Sequence, residues 1–252
     1  MASSPTEHSF AAPDGAELVW YELGEGRPVL LLHGLFSNAH TNWIKFGHAA
    51  EIASRGFRVI MPDLRAHGAS AAPHDPANYP ADVLVSDGEA LIAHLGLQEF
   101  DLGGFSLGAR TVAGMLIEGI RPRRAVLAGM GLEGLTGWAR RRDFFTTAID
   151  RRGEVSHGDS HWLAVQFMKT MKIDVEAARL LLASPSDFDA AKLGTIDVPT
   201  LVVCGSEDQD NGSAEALAAA IPDARFAEVP GTHMSSVTKP ELGRAIADFL
   251  SA

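Results

Sequence analysis

The chain has 252 residues, 46% hydrophobic and 21% charged, which is enough apolar material for one large core. A formal net charge of −11 argues against nucleic acid, whose phosphates need a basic surface, and weakly against anionic membranes and polyanionic substrates. The single cysteine, Cys204, excludes an internal disulfide and is expected to act as a small buried hydrophobe in the apolar run Leu201–Cys204.

The chain begins Met1-Ala2-Ser3-Ser4-Pro5, with no basic segment leading into an apolar one. No signal peptide is therefore read, no apolar stretch reaches membrane-spanning length, and a cytoplasmic protein is the default expectation. Residues 7–23 hold two strand-like pieces around Pro13-Asp14-Gly15, the pattern of a hairpin. Val29–Leu32, Phe57–Met61, Phe100–Leu102, Ala125–Ala128 and Leu201–Cys204 are short, nearly continuous apolar runs, as in strands buried on both faces. Ala81–Leu95 and Leu107–Glu118 are long enough for crossover helices, so the alternation predicts an α/β fold with a doubly wound, mostly parallel sheet. From about Leu132 to Ala191 the strand signal disappears, and Trp138–Arg151, His161–Met171 and Val175–Ala183 read as helices. A helical lid insertion is expected over residues 132–191, dividing a core domain made of 1–131 and 192–252. Its basic stretch Arg140-Arg141-Arg142, continued by Arg151 and Arg152, reads as a solvated helix face rather than an anion site.

Gly104-Phe105-Ser106-Leu107-Gly108 is the central chemical feature. A serine must sit on a sharp turn for its hydroxyl to stand clear of the backbone, and such a turn needs small neighbours. The motif alone is a weak signal, but here it follows a strand candidate and opens a helix candidate. Val29–Leu32 ends in His33-Gly34-Leu35-Phe36, a turn that can aim backbone N–H groups at developing negative charge. The amides of Leu35 and Leu107 are the natural pair for an oxyanion hole. His33 is expected to pack and hydrogen-bond within its loop rather than act as a base. No group of His, Cys and acidic residues has metal-ligand spacing, so no metal is expected.

At these residues the sequence resembles the α/β-hydrolase fold family, with Pro62-Asp63-Leu64-Arg65-Ala66-His67-Gly68-Ala69-Ser70 and Pro199-Thr200-Leu201-Val202-Val203-Cys204-Gly205 as further matching pieces. The resemblance runs from the hairpin near Glu7 to the last helix, ending at Leu250, and implies the order nucleophile, acid, histidine and a frequent lid. Ala66 stands where the family commonly has a glycine in an Arg-Gly-His-Gly-like turn, and His67 takes the structural reading there. Gly205-Ser206-Glu207-Asp208 follows a late strand; Asp208 is the position that the family pattern selects, with Glu207 and Asp210 as competitors. Arg225–Pro230 reads as the final strand, and His233 follows it in the right order after Ser106 and Asp208.

The resemblance implies a Ser106–His233–Asp208 serine hydrolase acting without a cofactor on a small-molecule carboxylic ester or lactone. A serine at the elbow argues against haloalkane dehalogenase and epoxide hydrolase relatives, which place aspartate there. Carbon–carbon bond hydrolysis or perhydrolysis on the same triad, and a non-catalytic ligand-sensing relative, are the alternatives. Phe36, Phe105, Trp138 and Trp162 are candidate substrate-binding residues, although the lid aromatics equally suit the insertion's own packing. The arginines of the lid leave room for an anionic substrate. His157 and His161 read as surface residues, and oligomeric state is not legible.

Overall fold

The apolar runs form strands because they can bury both faces at once. The computed structural model describes residues 4–252, so the reading of Met1–Ser3 lies outside the described residues. Eight strands form one sheet: β1 (Thr6–Ala11), β2 (Glu17–Leu23), β3 (Arg27–Leu32), β4 (Phe57–Pro62), β5 (Asp101–Phe105), β6 (Ala125–Ala128), β7 (Thr200–Gly205) and β8 (Ala224–Val229). Their order is β1-β2-β4-β3-β5-β6-β7-β8. Pairing is antiparallel for β1 with β2 and for β2 with β4, and parallel from β4 to β8. The hairpin thus forms an antiparallel edge on an otherwise parallel sheet.

Alternation along each strand divides the core into two layers. Leu30 and Leu32 join one apolar cluster, whereas Val29 and Leu31 join the other. The first layer is covered by α2 (Val83–His94) and α3 (Leu107–Ile117). The second is covered by α1 (His48–Ser54) and the C-terminal helix, here α11 (Pro240–Ser251). Leu242, Ile246 and Leu250 recur every four residues and bury one stripe of α11 against the sheet.

Between β6 and β7 lie five helices: α4 (Leu132–Thr136), α5 (Trp138–Asp150), α6 (Trp162–Thr170), α7 (Val175–Ala183) and α8 (Ala190–Leu193). They pack above the loops at the C-terminal ends of the parallel strands, where Phe36 meets Phe145 edge-on with ring centroids 5.4 Å apart. Two more helices complete the chain, α9 (Ala214–Ala220) between β7 and β8 and the short α10 (His233–Ser236) after β8. Among the described residues no helix is long and apolar enough to cross a membrane.

Candidate active site

The serine stands where β5 turns abruptly into α3. Ser106 has φ +52° and ψ −113°, in the left-handed half of backbone space that a residue with a Cβ seldom occupies. The flanking glycines are required by close backbone approach. A Cβ on Gly104 would collide with the backbone of Gly108, and one on Gly108 would collide with the carbonyls of Leu32 and His33. Tight packing of strand, elbow and helix therefore holds the strained residue in place.

His233 reaches the serine from the other end of the chain. Its Nε2 lies 3.0 Å from Ser106 Oγ, and its Nδ1 lies 2.8 Å from Asp208 Oδ2. A carboxylate can only accept, so Nδ1–H donates to Asp208 and the serine hydroxyl donates to Nε2. All three residues are nearly sequestered from solvent, at 6%, 6% and 8% exposure for Ser106, Asp208 and His233. The loops are drawn together by backbone bonds: Ser206 N–H donates to Val229 O at 2.8 Å, and Glu207 N–H to Gly231 O at 3.0 Å. Thr232 then caps the turn carrying His233 through a reciprocal capping box with Ser235. Glu207 and Asp210, the competing acids, are exposed, whereas Asp208 is buried against the imidazole.

Burial alone would raise the Asp208 pKa, but the hydrogen bond and charge of His233 outweigh it. The Asp210 N–H and the Cys204 thiol add to the net downward shift. Cys204 was expected to be a plain hydrophobe. It is buried, yet its thiol donates to Asp208 Oδ2 at 3.4 Å. Burial and the negative charge of Asp208 push that thiol up to about 12, so it stays protonated and remains a donor.

The His33–Phe36 turn approaches Ser106 from β3. Gly34 N–H donates to Asn42 Oδ1, Phe36 N–H to His67 Nε2 and Ser37 N–H to Gly34 O, whereas Leu35 N–H has no acceptor among the described residues. His33 and His67 are fully buried struts. His33 bonds Gly34 O through Nδ1 and accepts Leu64 N–H at Nε2, so it spans two loops instead of only its own. Burial lowers its pKa to about 4; burial, with the nearby His33, lowers that of His67 to about 3. Ala66, at the position where a glycine was noted as usual, has φ +64°.

Beside Ser106 is a cavity of about 240 Å³ including its mouth, walled by Leu35, Leu107, Trp138 and Phe145 among others. Of the four candidate substrate-binding side chains, only Trp138 lines it. Phe36 is turned into the core by its positive φ of 59° and packs behind Phe145. Phe105 belongs to the opposite layer, where its ring lies 5.0 Å from the His233 imidazole and supports it from behind. Trp162 packs instead on exposed His157, with centroids 4.9 Å apart, and His161 bonds Asp159.

Two charged wall residues, Arg110 and Arg141, were not among the candidate site residues read from the sequence. Arg141 corrects the solvated-face reading of Arg140–Arg142. Positions 138, 141 and 145 of α5 fall on one helical face, so Arg141 turns inward beside Trp138 and Phe145 while Arg140 stays exposed. Arg110 is four residues beyond Ser106, one turn along α3, a spacing legible in hindsight.

A family model described as alpha/beta hydrolase fold matches residues 27–134. A non-heme haloperoxidase from Rhodococcus erythropolis is 29% identical, with 87% of this chain and 90% of that protein covered. An epoxide hydrolase from Siraitia grosvenorii, epoxide hydrolase 2, is 34% identical over 104 residues, 41% of this chain, and the chain spans only 32% of that relative. A solved structure of a hydrolase from Pseudomonas aeruginosa PA01 superposes with a TM-score of 0.77 at 25% identity, covering 99% of this chain and 100% of that one. With the sheet order and the strained serine turn between β5 and α3, these likenesses show that the chain has the α/β-hydrolase fold.

Proposed function

We propose that the protein is a serine hydrolase that cleaves a small to medium carboxylic ester or lactone through an acyl-enzyme. The carrying observation is the imidazole of His233 within hydrogen-bond reach of both Ser106 Oγ and Asp208. His233 takes the serine proton at Nε2 as Oγ attacks the carbonyl carbon. Asp208 holds the tautomer and stabilises the imidazolium. The Leu35 and Leu107 amides donate to the oxyanion, and the free state of Leu35 N–H suits that task. His233 then protonates the leaving alcohol, and water activated by the same imidazole releases the carboxylic acid and restores Ser106.

The test is a panel of p-nitrophenyl esters and simple lactones of increasing acyl length. Turnover of short esters is expected, and Ser106→Ala should lose roughly three or more orders of magnitude in rate while keeping its circular dichroism spectrum. Wild-type turnover in that variant would reject the assignment. A second reading, perhydrolysis, draws on the Rhodococcus relative's description as a haloperoxidase. Hydrogen peroxide would then replace water in attacking the acyl-enzyme, releasing a peracid. Peracid formation outpacing hydrolysis in the same assay would favour it; carboxylate as the sole product would reject it.

A further inference from the structure

Two guanidinium groups share the wall of the cavity beside Ser106, and neither forms an ion pair with a carboxylate among the described residues. Arg110 is 2% exposed. Its Nη1 donates to Gly134 O at 3.0 Å and to Leu135 O at 2.8 Å, and its Nη2 donates to Ser186 O. The guanidinium lies over the rings of Phe188 and Trp138, 4.5 and 5.1 Å from their centroids. Its Nε, buried, has no partner among the described residues. Arg141 donates from Nη1 to Asp210 O at 2.6 Å and rests over Phe145, leaving Nε and Nη2 without an acceptor among the described residues.

The Nη bonds of Arg110 have a structural purpose, since they tie α3 to the helical insertion. They do not account for its charge. Neutral carbonyls and aromatic faces compensate a buried cation only in part, and a buried donor without an acceptor is costly. Burial pulls the Arg110 pKa down to about 10, with Asp82 and Asp187 acting in the opposite direction, so the cation persists at neutral pH but lacks a close counter-charge. Arg141 shifts the same way from burial, against the pull of Asp210 and Asp208. The chain as a whole carries −11, so its long-range field repels anions, and these two cations are a local exception at the nucleophile.

We infer that the substrate is a small ester or lactone bearing an ionised carboxylate, received by Arg110 and Arg141 while Ser106 attacks its acyl carbon. This deepens the hydrolase reading and rests on it. A carboxylate matches the planar donor fork of arginine and supplies the missing acceptors.

The test compares matched neutral and anionic esters, with the charge on either side of the scissile bond. One pair is p-nitrophenyl butyrate and mono-p-nitrophenyl glutarate; the other is methyl 4-acetoxybenzoate and 4-acetoxybenzoate. In at least one pair the anionic member should have the higher kcat/KM. Arg141→Gln should lower the anionic-to-neutral ratio roughly ten- to a hundredfold, mainly through KM, with partial recovery in Arg141→Lys. Because Arg110 also braces the insertion, it is probed by Arg110→Lys and by competition: glutarate should inhibit wild type better than butyrate, and Arg141→Gln should erase the difference. Neutral esters turned over without any anionic preference, or a ratio unchanged in Arg141→Gln, would overturn the inference and leave the hydrolase reading standing. Inert esters of every kind, with Ser106 also unreactive to a fluorophosphonate, would overturn both.

Discussion

At the scale of single residues, the site depends on how many donors converge on its one buried carboxylate. Asp208 receives Nδ1–H of His233, Asp210 N–H and the Cys204 thiol, so its ionised form is held despite burial. Asp208→Asn removes the obligatory acceptor and lets the imidazole adopt the wrong tautomer. It should reduce kcat on p-nitrophenyl butyrate by about 10⁴-fold, with a much smaller change in KM. A loss of only a few-fold would show that the carboxylate does not orient His233. The meeting of Ser106, His233 and Asp208 was legible because chain order and flanking motifs single out three residues among many serines, acids and histidines. Cys204 was not, because a hydrogen bond between positions four apart across a strand end leaves no pattern in the sequence. Phe36 and Phe105 were misplaced for a related reason: adjacency to a functional residue along the chain says nothing about which side of the sheet a ring enters.

At the scale of elements, the elbow is a packing solution before it is a catalytic one. Gly104 and Gly108 let β5, the turn and α3 approach within a distance that no Cβ permits. Gly108→Ala would force that carbon against the backbone carbonyls of Leu32 and His33, which cannot swing aside as a side chain would. A cost of about 3 kcal/mol or more, or loss of soluble protein, is expected. An unchanged urea midpoint would contradict this close approach. The strands and main helices were readable from continuous apolar runs and helix-length spacers. The inward turn of Arg141 was not, since three consecutive arginines look like a solvated face until the 138/141/145 spacing sets which one points inward. Its neighbours on the helix, not its own charge, decided its direction.

At the scale of the whole molecule, the mostly parallel sheet flanked by helices followed from the alternation of elements, whereas the bracing between loops did not. His33 and His67 join the β3 and β4 loops as neutral, fully buried acceptors of Leu64 and Phe36 N–H. Their folded pKa values of about 4 and about 3 lie below the ordinary value of 6.5. Between these values the unfolded chain binds more protons than the folded one, so stability rises with pH. The contribution is therefore complete above about pH 6.5 and is lost as pH falls toward 4 and below. Burial raises Asp63 in the same turn, with the opposite sign, so the histidine share is isolated by comparison with His67→Asn. Wild-type melting temperature should fall as pH drops from 7 toward 4, and the fall should be shallower in the variant. Parallel profiles would show that His67 is not the group being titrated.

The central claim is that the Ser106 hydroxyl is made nucleophilic by a buried imidazole held by a carboxylate. Labelling with a fluorophosphonate, followed by mass mapping of the modified peptide, measures this reactivity without knowledge of the natural substrate. A single adduct on the peptide carrying Ser106, absent from Ser106→Ala and formed far more slowly in His233→Gln, is the expected result. An unreactive wild-type protein, or an adduct on a different serine, would contradict it.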